Sequence, residues 1–434
     1  MRKKHFLFAS VLALLCGSST LHAQDFKLTS SGYFKNQGVD VMAFDDIYPE
    51  GHQGGVCIIM NGHRVATNGD IRLEATPGQW QPVPKQLDRK LGDNSITATL
   101  CYPDSSRHLT GFNPMIYPDL HLIYTVNVES KGKNIEVTVD LDRPIPQEFI
   151  GKVGFNLEFF PGSLFGKPWI MDGQSGIFPQ QPNSPLMTTQ PNYLHTGNYH
   201  DGKKSLADMN KLIGKGYSPI VADDIISEPY AKGTKFTSRP DDPYNKVTIE
   251  SLSGDLQLFD GRMNHNNGWF VLRSNIKPGV TKGAVKWIIT PNVVADWMYQ
   301  PVIQTSQIGY HPTQDKEAVI EMDIRDNRKE TAQIIRIDAD GEKVVKNVTP
   351  ANWGKFLRYN YLKVNFTDVK EPGLYKIKYN TSVSPIFRID NDVYARGVWQ
   401  PVLEYFLPVQ MCHMRVNEKY RVWHDCCHMD DAQM

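Results

Sequence analysis

Short runs in which apolar and polar residues alternate at every second position, broken by turn residues, recur from Asp25 to about Asp390 of this 434-residue chain. A period of two buries one face of a strand. It cannot bury one face of a helix, whose period is 3.6 residues. LHLIYTVNVES and NIEVTVDLD both alternate in this way, and the KGK between them leaves room for little but a hairpin. GGVCIIMNGHRVA places an Asn-Gly turn signal between two strand-like runs, and SITATLCYP, KVTIESLSG, DLQLFDGR, NGWFVLRSN and AVKWIITPN read as further strands. Residues 24–300 are therefore expected to form one large β-sandwich domain.

One stretch departs from the pattern. From Pro161 to Tyr193 the chain is rich in Pro, Gly, Gln and Asn, with Phe165, Trp169, Phe178 and Tyr193 interspersed. A long irregular loop is expected here, and long ordered loops are often functional. Its aromatics can pin the loop to its own sheet, or they can stack on sugar rings, whose axial C–H bonds meet a π face. The composition leaves both readings open.

YQPVIQTSQIGYHP, Tyr299 to Pro312, marks a boundary. Beyond it, residues 301–390 alternate again with tight turns at Ala339-Asp340-Gly341 and Glu371-Pro372-Gly373, as a small immunoglobulin-like sandwich would. From Asn391 the period changes: Tyr394, Val398, Val402, Phe406 and Val409 recur at helical spacing, predicting a helix kinked at Pro401 and Pro408.

The first 23 residues read as a signal peptide: a basic MRKKH, the apolar FLFASVLALL, and LHA before Gln24. Cleavage after Ala23 and export to periplasm, cell surface or medium are expected. No other segment is long and apolar enough to span a bilayer. Lys+Arg and Asp+Glu are both 47, which argues against a nucleic-acid partner. After cleavage five cysteines remain, Cys57, Cys101, Cys412, Cys426 and Cys427, an odd number that does not suggest a full disulfide framework. Cys57 and Cys101 fit either buried thiols or one bridge.

QIGYHP, EPGLYKIKY, SPIFRI and then DVYARGVWQPVLEYFLPVQMC resemble the cellulase N-terminal immunoglobulin-like domain, which in family 9 glycoside hydrolases leads directly into a catalytic (α/α)6 barrel. WHDCCHMDDA resembles the segment just inside that barrel. The resemblance implies a mainly β chain: a large N-terminal β-sandwich, an immunoglobulin-like β-sandwich, then over residues 391–434 the first helix of an incomplete (α/α)6 barrel. It implies an exported, monomeric glycoside hydrolase acting on polysaccharide or oligosaccharide of the β-1,4-glucan type by inversion. Inversion uses a carboxylate base and a carboxylic acid on opposite faces of the sugar. The family's Asp-Ala-Gly-Asp motif and its acid Glu are expected beyond Met434, so no residue here is assigned a catalytic role and the chain alone is expected to be inactive.

Asp430 and Asp431 cannot substitute, because neighbours on a helix point about 100° apart, and Asp425 has no motif behind it. The resemblance also implies a structural zinc in the intact parent, held by Cys412, Cys427 and His428 with a fourth ligand downstream. Thiolates and imidazoles suit tetrahedral zinc, and His424 or Cys426 could stand in. Substrate-binding residues are unassigned. No G-x-S-x-G elbow supports a serine hydrolase. The alternative is a non-catalytic carbohydrate-binding or anchoring β-sandwich protein.

Overall fold

The alternating stretches form strands, and burial alternates along them in step with the sequence, as in Ser95–Cys101, Ile123–Lys131 and Asn134–Leu141. The computed structural model describes residues 25–45, 47–48, 51–52, 55–74, 76–77, 84–102, 120–182, 186–188, 225–263, 268–395, 397–403, 415–416 and 422–423. The chain divides into two units, Met1–Trp297 and Met298–Met434.

In the first unit the described residues form two nine-stranded antiparallel sheets. The first has the order Lys27–Leu28, Phe34–Asn36, Val39–Ala43, Val56–Met60, His63–Leu73, Val153–Phe159, Phe270–Asn275, Leu256–Asp260, Ala231–Gly233. The second has the order Gln174–Ile177, Pro168–Met171, Lys235–Ser238, Val247–Ser251, Val285–Pro291, Asn134–Leu141, Ile123–Lys131, Ser95–Cys101, Lys85–Leu91. Apolar side chains of both sheets share one core. Across it, the Phe155 and Trp287 rings meet edge to face at 5.0 Å, and the Trp287 indole N–H donates to Ser274 Oγ at 3.0 Å. Asn61-Gly62 closes the hairpin between Val56–Met60 and His63–Leu73, both residues at positive φ, and Gly132-Lys133 closes the KGK hairpin.

The segment after Pro161 is not the irregular loop its composition suggests. Pro168–Met171 and Gln174–Ile177 form a hairpin that extends the edge of the second sheet. Asp172-Gly173 turns it with φ of 45° and 85°, the signature of a primed two-residue turn. Trp169 and Phe178 are buried in the core and Phe165 packs against it, so these three pin the segment to its own unit. Tyr193 lies outside the described residues.

In the second unit, Val302–Gln304, Glu317–Asp323, Tyr359–Asn365 and Ala351–Phe356 form a four-stranded sheet in that order. Gly341–Val348, Ala332–Asp338, Gly373–Tyr379 and Ser382–Val383 form a second, with Phe387–Ile389 also paired to Gly373–Tyr379. Ile320, Ile334, Leu362, Val364, Tyr375 and Ile377 are among the residues of the core between them. The helix expected from Asn391 starts later. Residues 391–395 are turns, and helical geometry runs over 400–403, where the Leu403 N–H donates to Trp399 O at 2.9 Å. Pro401 thus sits in a first turn, where its missing N–H costs nothing, and does not kink an established helix. Most of the expected helix, Pro408 included, lies outside the described residues. Among those described, no helix is long and apolar enough to cross a membrane.

Candidate functional site

In the first unit, ionisable side chains gather on three adjacent strands of the first sheet. Register places Asn156 opposite both Asp70 and Arg273, and Gly154 opposite Arg72 and Asn275. Phe155 and Leu157 point into the sandwich, so alternation directs Asn156 and Glu158 to the other face. A solvated face would leave such groups wet, yet Asp70, Glu74, Asn156, Glu158 and Arg273 are all buried. Arg273 is held on every side. Its Nη1 donates to Asn156 Oδ1 (3.0 Å) and lies 3.4 Å from Glu74 Oε1, its Nη2 donates to the Glu74 and Lys152 carbonyls (2.9 and 3.0 Å), and its Nε donates to Asn275 Oδ1 (2.7 Å).

Asn156 Nδ2 donates to Glu74 Oε1 at 2.6 Å, and Asn68 Nδ2 to Glu158 Oε2 at 2.6 Å. Pairing with Val56–Met60 ends at Gly69. Beyond it the strand edge is open to two tyrosines: the Tyr102 hydroxyl donates to Ile71 O, and the Tyr124 hydroxyl lies 3.1 Å from each Asp70 oxygen.

Burial pushes the Glu74 carboxyl up to about 7, although Arg273 and Arg72 pull the other way. Burial opposes the Arg72 charge as well, but the carboxyl groups of Glu158, Asp70 and Glu74 outweigh it. Arg72 Nε is buried without a hydrogen-bond partner. Two guanidinium groups face three carboxyl groups, so a proton on Glu74 balances the charge. The cluster can hold and release one proton near neutral pH at Glu74, a property shared by acid–base sites and by structural ion networks. Sequence reading missed it because Asp70, Arg72 and Glu74 alternate in GDIRLEA just as a solvent-facing strand edge would.

In the second unit, the outer face of the four-stranded sheet is aromatic. Glu321 lies opposite Tyr361, and Phe356 opposite Tyr359. Neighbouring ring centroids are 5.1 Å (Tyr299–Tyr359), 6.1 Å (Tyr359–Tyr361) and 5.6 Å (Trp353–Tyr361) apart. The Tyr299 and Tyr361 hydroxyls donate to the two Glu321 oxygens at 2.9 and 3.2 Å. Burial, then the Glu321 carboxylate, raise both tyrosines above their ordinary range.

Cys412, Cys427 and His428, with Asp425, Asp430 and Asp431, lie outside the described residues. Among those described, no group of three His, Cys, Asp or Glu side chains is placed to hold a metal. Cys57 is buried and Cys101 half-buried, and neither is in a disulfide.

Of the motifs behind the family resemblance, QIGYHP, EPGLYKIKY and SPIFRI contribute Tyr310, Tyr375, Ile377, Tyr379, Phe387 and Ile389 to the core of the second unit. In QIGYHP, Tyr310 packs its ring on Phe366 and Phe387 at 5.1 and 5.3 Å, and its hydroxyl donates to Glu317 O at 2.9 Å. EPGLYKIKY supplies Tyr375, Ile377 and Tyr379 from one strand face. Residues 298–384 match the cellulase N-terminal ig-like domain.

Solved structures similar to the chain include a metagenome-derived glycoside hydrolase family 9 endoglucanase, 26% identical over 27% of this chain and 23% of that one, with a TM-score of 0.24. Another is a zinc-binding triple mutant of the family 9 endoglucanase J30, 23% identical over 28% of this chain and 22% of that one, TM-score 0.22. A protein of Synechocystis sp. PCC 6803 is 11% identical over 62% of this chain and 96% of that one, TM-score 0.28. The chain spans under a quarter of the two endoglucanase structures. No curated protein matches it at a significant level.

Proposed function

We propose that this chain is the non-catalytic amino-terminal portion of an exported family 9 glycoside hydrolase that acts on β-linked plant polysaccharide of the β-1,4-glucan type by inversion. The match of residues 298–384 to the cellulase N-terminal ig-like domain carries the reading. The role of the two sandwiches is then to present and support a catalytic (α/α)6 domain of which residues 391–434 are the start. Hydrolysis would need a positioned carboxylic acid and a carboxylate base, and the reading places neither in this chain. Purified protein of this length should release no reducing sugar from carboxymethylcellulose, mixed-linkage glucan or xyloglucan above a heat-killed control. A chain continued through the downstream reading frame should release it. Turnover by the short chain, or none by the continued one, would sink the proposal.

The same reading assigns a structural zinc to Cys412, Cys427 and His428 with a downstream ligand. Metal analysis of the continued chain should find zinc that falls in Cys427→Ala; equal content would remove the assignment. A second reading, a carbohydrate-binding or anchoring protein without hydrolysis, is favoured by the aromatic face around Tyr361.

A further inference from the structure

The aromatic face of the second unit has an architecture that packing does not explain. A sheet face that merely contacts water carries charged and small polar residues. Here Trp353 and Phe356 are each more than half exposed, and Tyr359 and Tyr361 are half-buried between them. Contiguous exposed aromatic surface of this kind marks a binding site more often than chance.

Two backbone features arrange it. Pairing between Ala351–Phe356 and Tyr359–Asn365 slips between Asn352 and Gly354, a bulge that holds Trp353. Such a bulge re-aims a side chain, and the indole stands edge to face on Tyr361, with 89° between the ring planes. Directly opposite Tyr361 is Gly354, at φ +127°, a conformation costly for any other residue. A Cβ placed there would meet no atom within 4 Å, so the space over Tyr361 on this side is open. The strand thus projects an indole beside the tyrosine and leaves the next position bare.

The polar groups are those a sugar needs. Glu321 accepts one tyrosine hydroxyl on each oxygen, and each carboxylate oxygen keeps a second lone pair for an incoming hydroxyl. Lys363, paired with Glu317 at 2.9 Å, supplies a donor along the same face. A β-linked pyranose offers axial C–H bonds on its faces and hydroxyls around its rim, so it meets rings below and a carboxylate at the side. A protein partner fits less well, because the centre of a protein interface is depleted of charge.

We infer that the outer face formed by Trp353, Phe356, Tyr359, Tyr361 and Glu321 binds a single soluble β-linked glucan chain. The rings are tilted by 53°, 67° and 89° to one another, so they follow a twisting chain and cannot lie flat on a crystalline surface. The choice of a β-linked glucan rests on the functional reading above; the sugar site itself rests on the face.

The test is native electrophoresis of the full chain through gels containing hydroxyethylcellulose, mixed-linkage β-glucan, xyloglucan or an α-glucan, with pull-down on crystalline cellulose. The soluble β-glucans should retard the protein, and crystalline cellulose should not deplete it. Trp353→Ala and Tyr361→Ala should each raise Kd by about tenfold or more, as truncated anchor residues do. Tyr361→Phe keeps the ring and should keep most of the binding. Trp353 and Phe356 are surface residues, and unchanged melting of the Trp353→Ala protein shows that the fold is intact.

Absence of retardation in every gel, or equal retardation of wild type and both alanine variants, overturns the sugar site and leaves the hydrolase reading to its own assay. Retardation only by the α-glucan, lost in Trp353→Ala, overturns the β-linked class and counts against the hydrolase reading as well. A concentration-dependent dimer dispersed by Trp353→Ala would show that a second copy covers the face, and would also overturn the inference.

Discussion

Gly309 shows how one position can decide a unit. It sits at φ +93°, and a Cβ there would lie 2.3 Å from the Arg388 carbonyl oxygen, with backbone pinned on both sides by Tyr310 N–H to Arg388 O and Asp390 N–H to Tyr310 O. Neither segment can yield without breaking those bonds. Gly309→Ala should therefore destabilise the second unit by roughly 2–4 kcal/mol, read by denaturant titration; a loss within error of zero would refute the account. Glu74 tests the other unit. Its carboxyl is raised by burial from 4.5 to about 7, so the native state binds a proton that the unfolded chain has released. Its stabilising contribution is complete below pH 4.5 and is lost as pH rises through 7, at most about 3 kcal/mol. Melting temperature should fall between pH 5 and pH 8, and Glu74→Gln, which mimics the protonated acid, should flatten that fall. An identical slope in the variant would mean that Arg273 keeps Glu74 ionised throughout.

At the scale of elements, the turn after Glu317–Asp323 repeats an Asp-x-Arg pattern. Asp323 accepts from Arg325 Nε and Nη2 at 2.8 and 2.7 Å and from the Tyr299 and Arg325 N–H groups at 3.0 Å each, and Asp326 pairs with Arg328 at 2.6 Å. The Asp323 bonds tie the entry of the first strand to the exit of the second. Burial alone would raise Asp323, but the Arg325 side chain and the backbone donors hold it down at about 2. A lowered carboxyl stabilises above its unfolded value of 3.8 and loses that contribution as pH falls to about 2. Asp323→Asn should cost about 2 kcal/mol at pH 7 and far less at pH 2, where the wild-type group is already about half protonated. Equal cost at both pH values would show that shape, not charge, ties the turn. The hairpin at Asp172-Gly173 works differently: the Asp172 carboxylate accepts from the Thr234 and Lys235 backbone, joining the turn to the next strand.

For the whole molecule, each unit has its own buried core, one around Trp287 and Phe155 and one around Tyr310 and Phe387. Separate cores allow separate cooperative unfolding. Calorimetry should resolve two transitions. Gly309→Ala should lower one of them, and Trp287→Ala, which empties a large buried volume at a cost of about 3–5 kcal/mol, should lower the other. A single transition moved equally by both variants would contradict independent cores.

Strand positions, hairpin turns and the Ig-like character of the second unit were determined by sequence alone. Period two is a local property, and the turns at Asn61-Gly62 and Gly132-Lys133 need only their own backbone geometry. Tyr310, Tyr375 and Tyr379 were legible as motif residues for the same reason. Asp172-Gly173 carried an equally plain turn signal, masked by the Pro, Gly and Gln around it. The two candidate sites could not be read that way. Asp70, Arg72 and Glu74 look solvent-facing in one strand, and they become a buried network only because Asn156, Glu158 and Arg273 arrive from strands far along the chain. Trp353 joins Tyr361 and Glu321 through a bulge and two cross-strand registers, and register is a relation between segments that no single segment encodes.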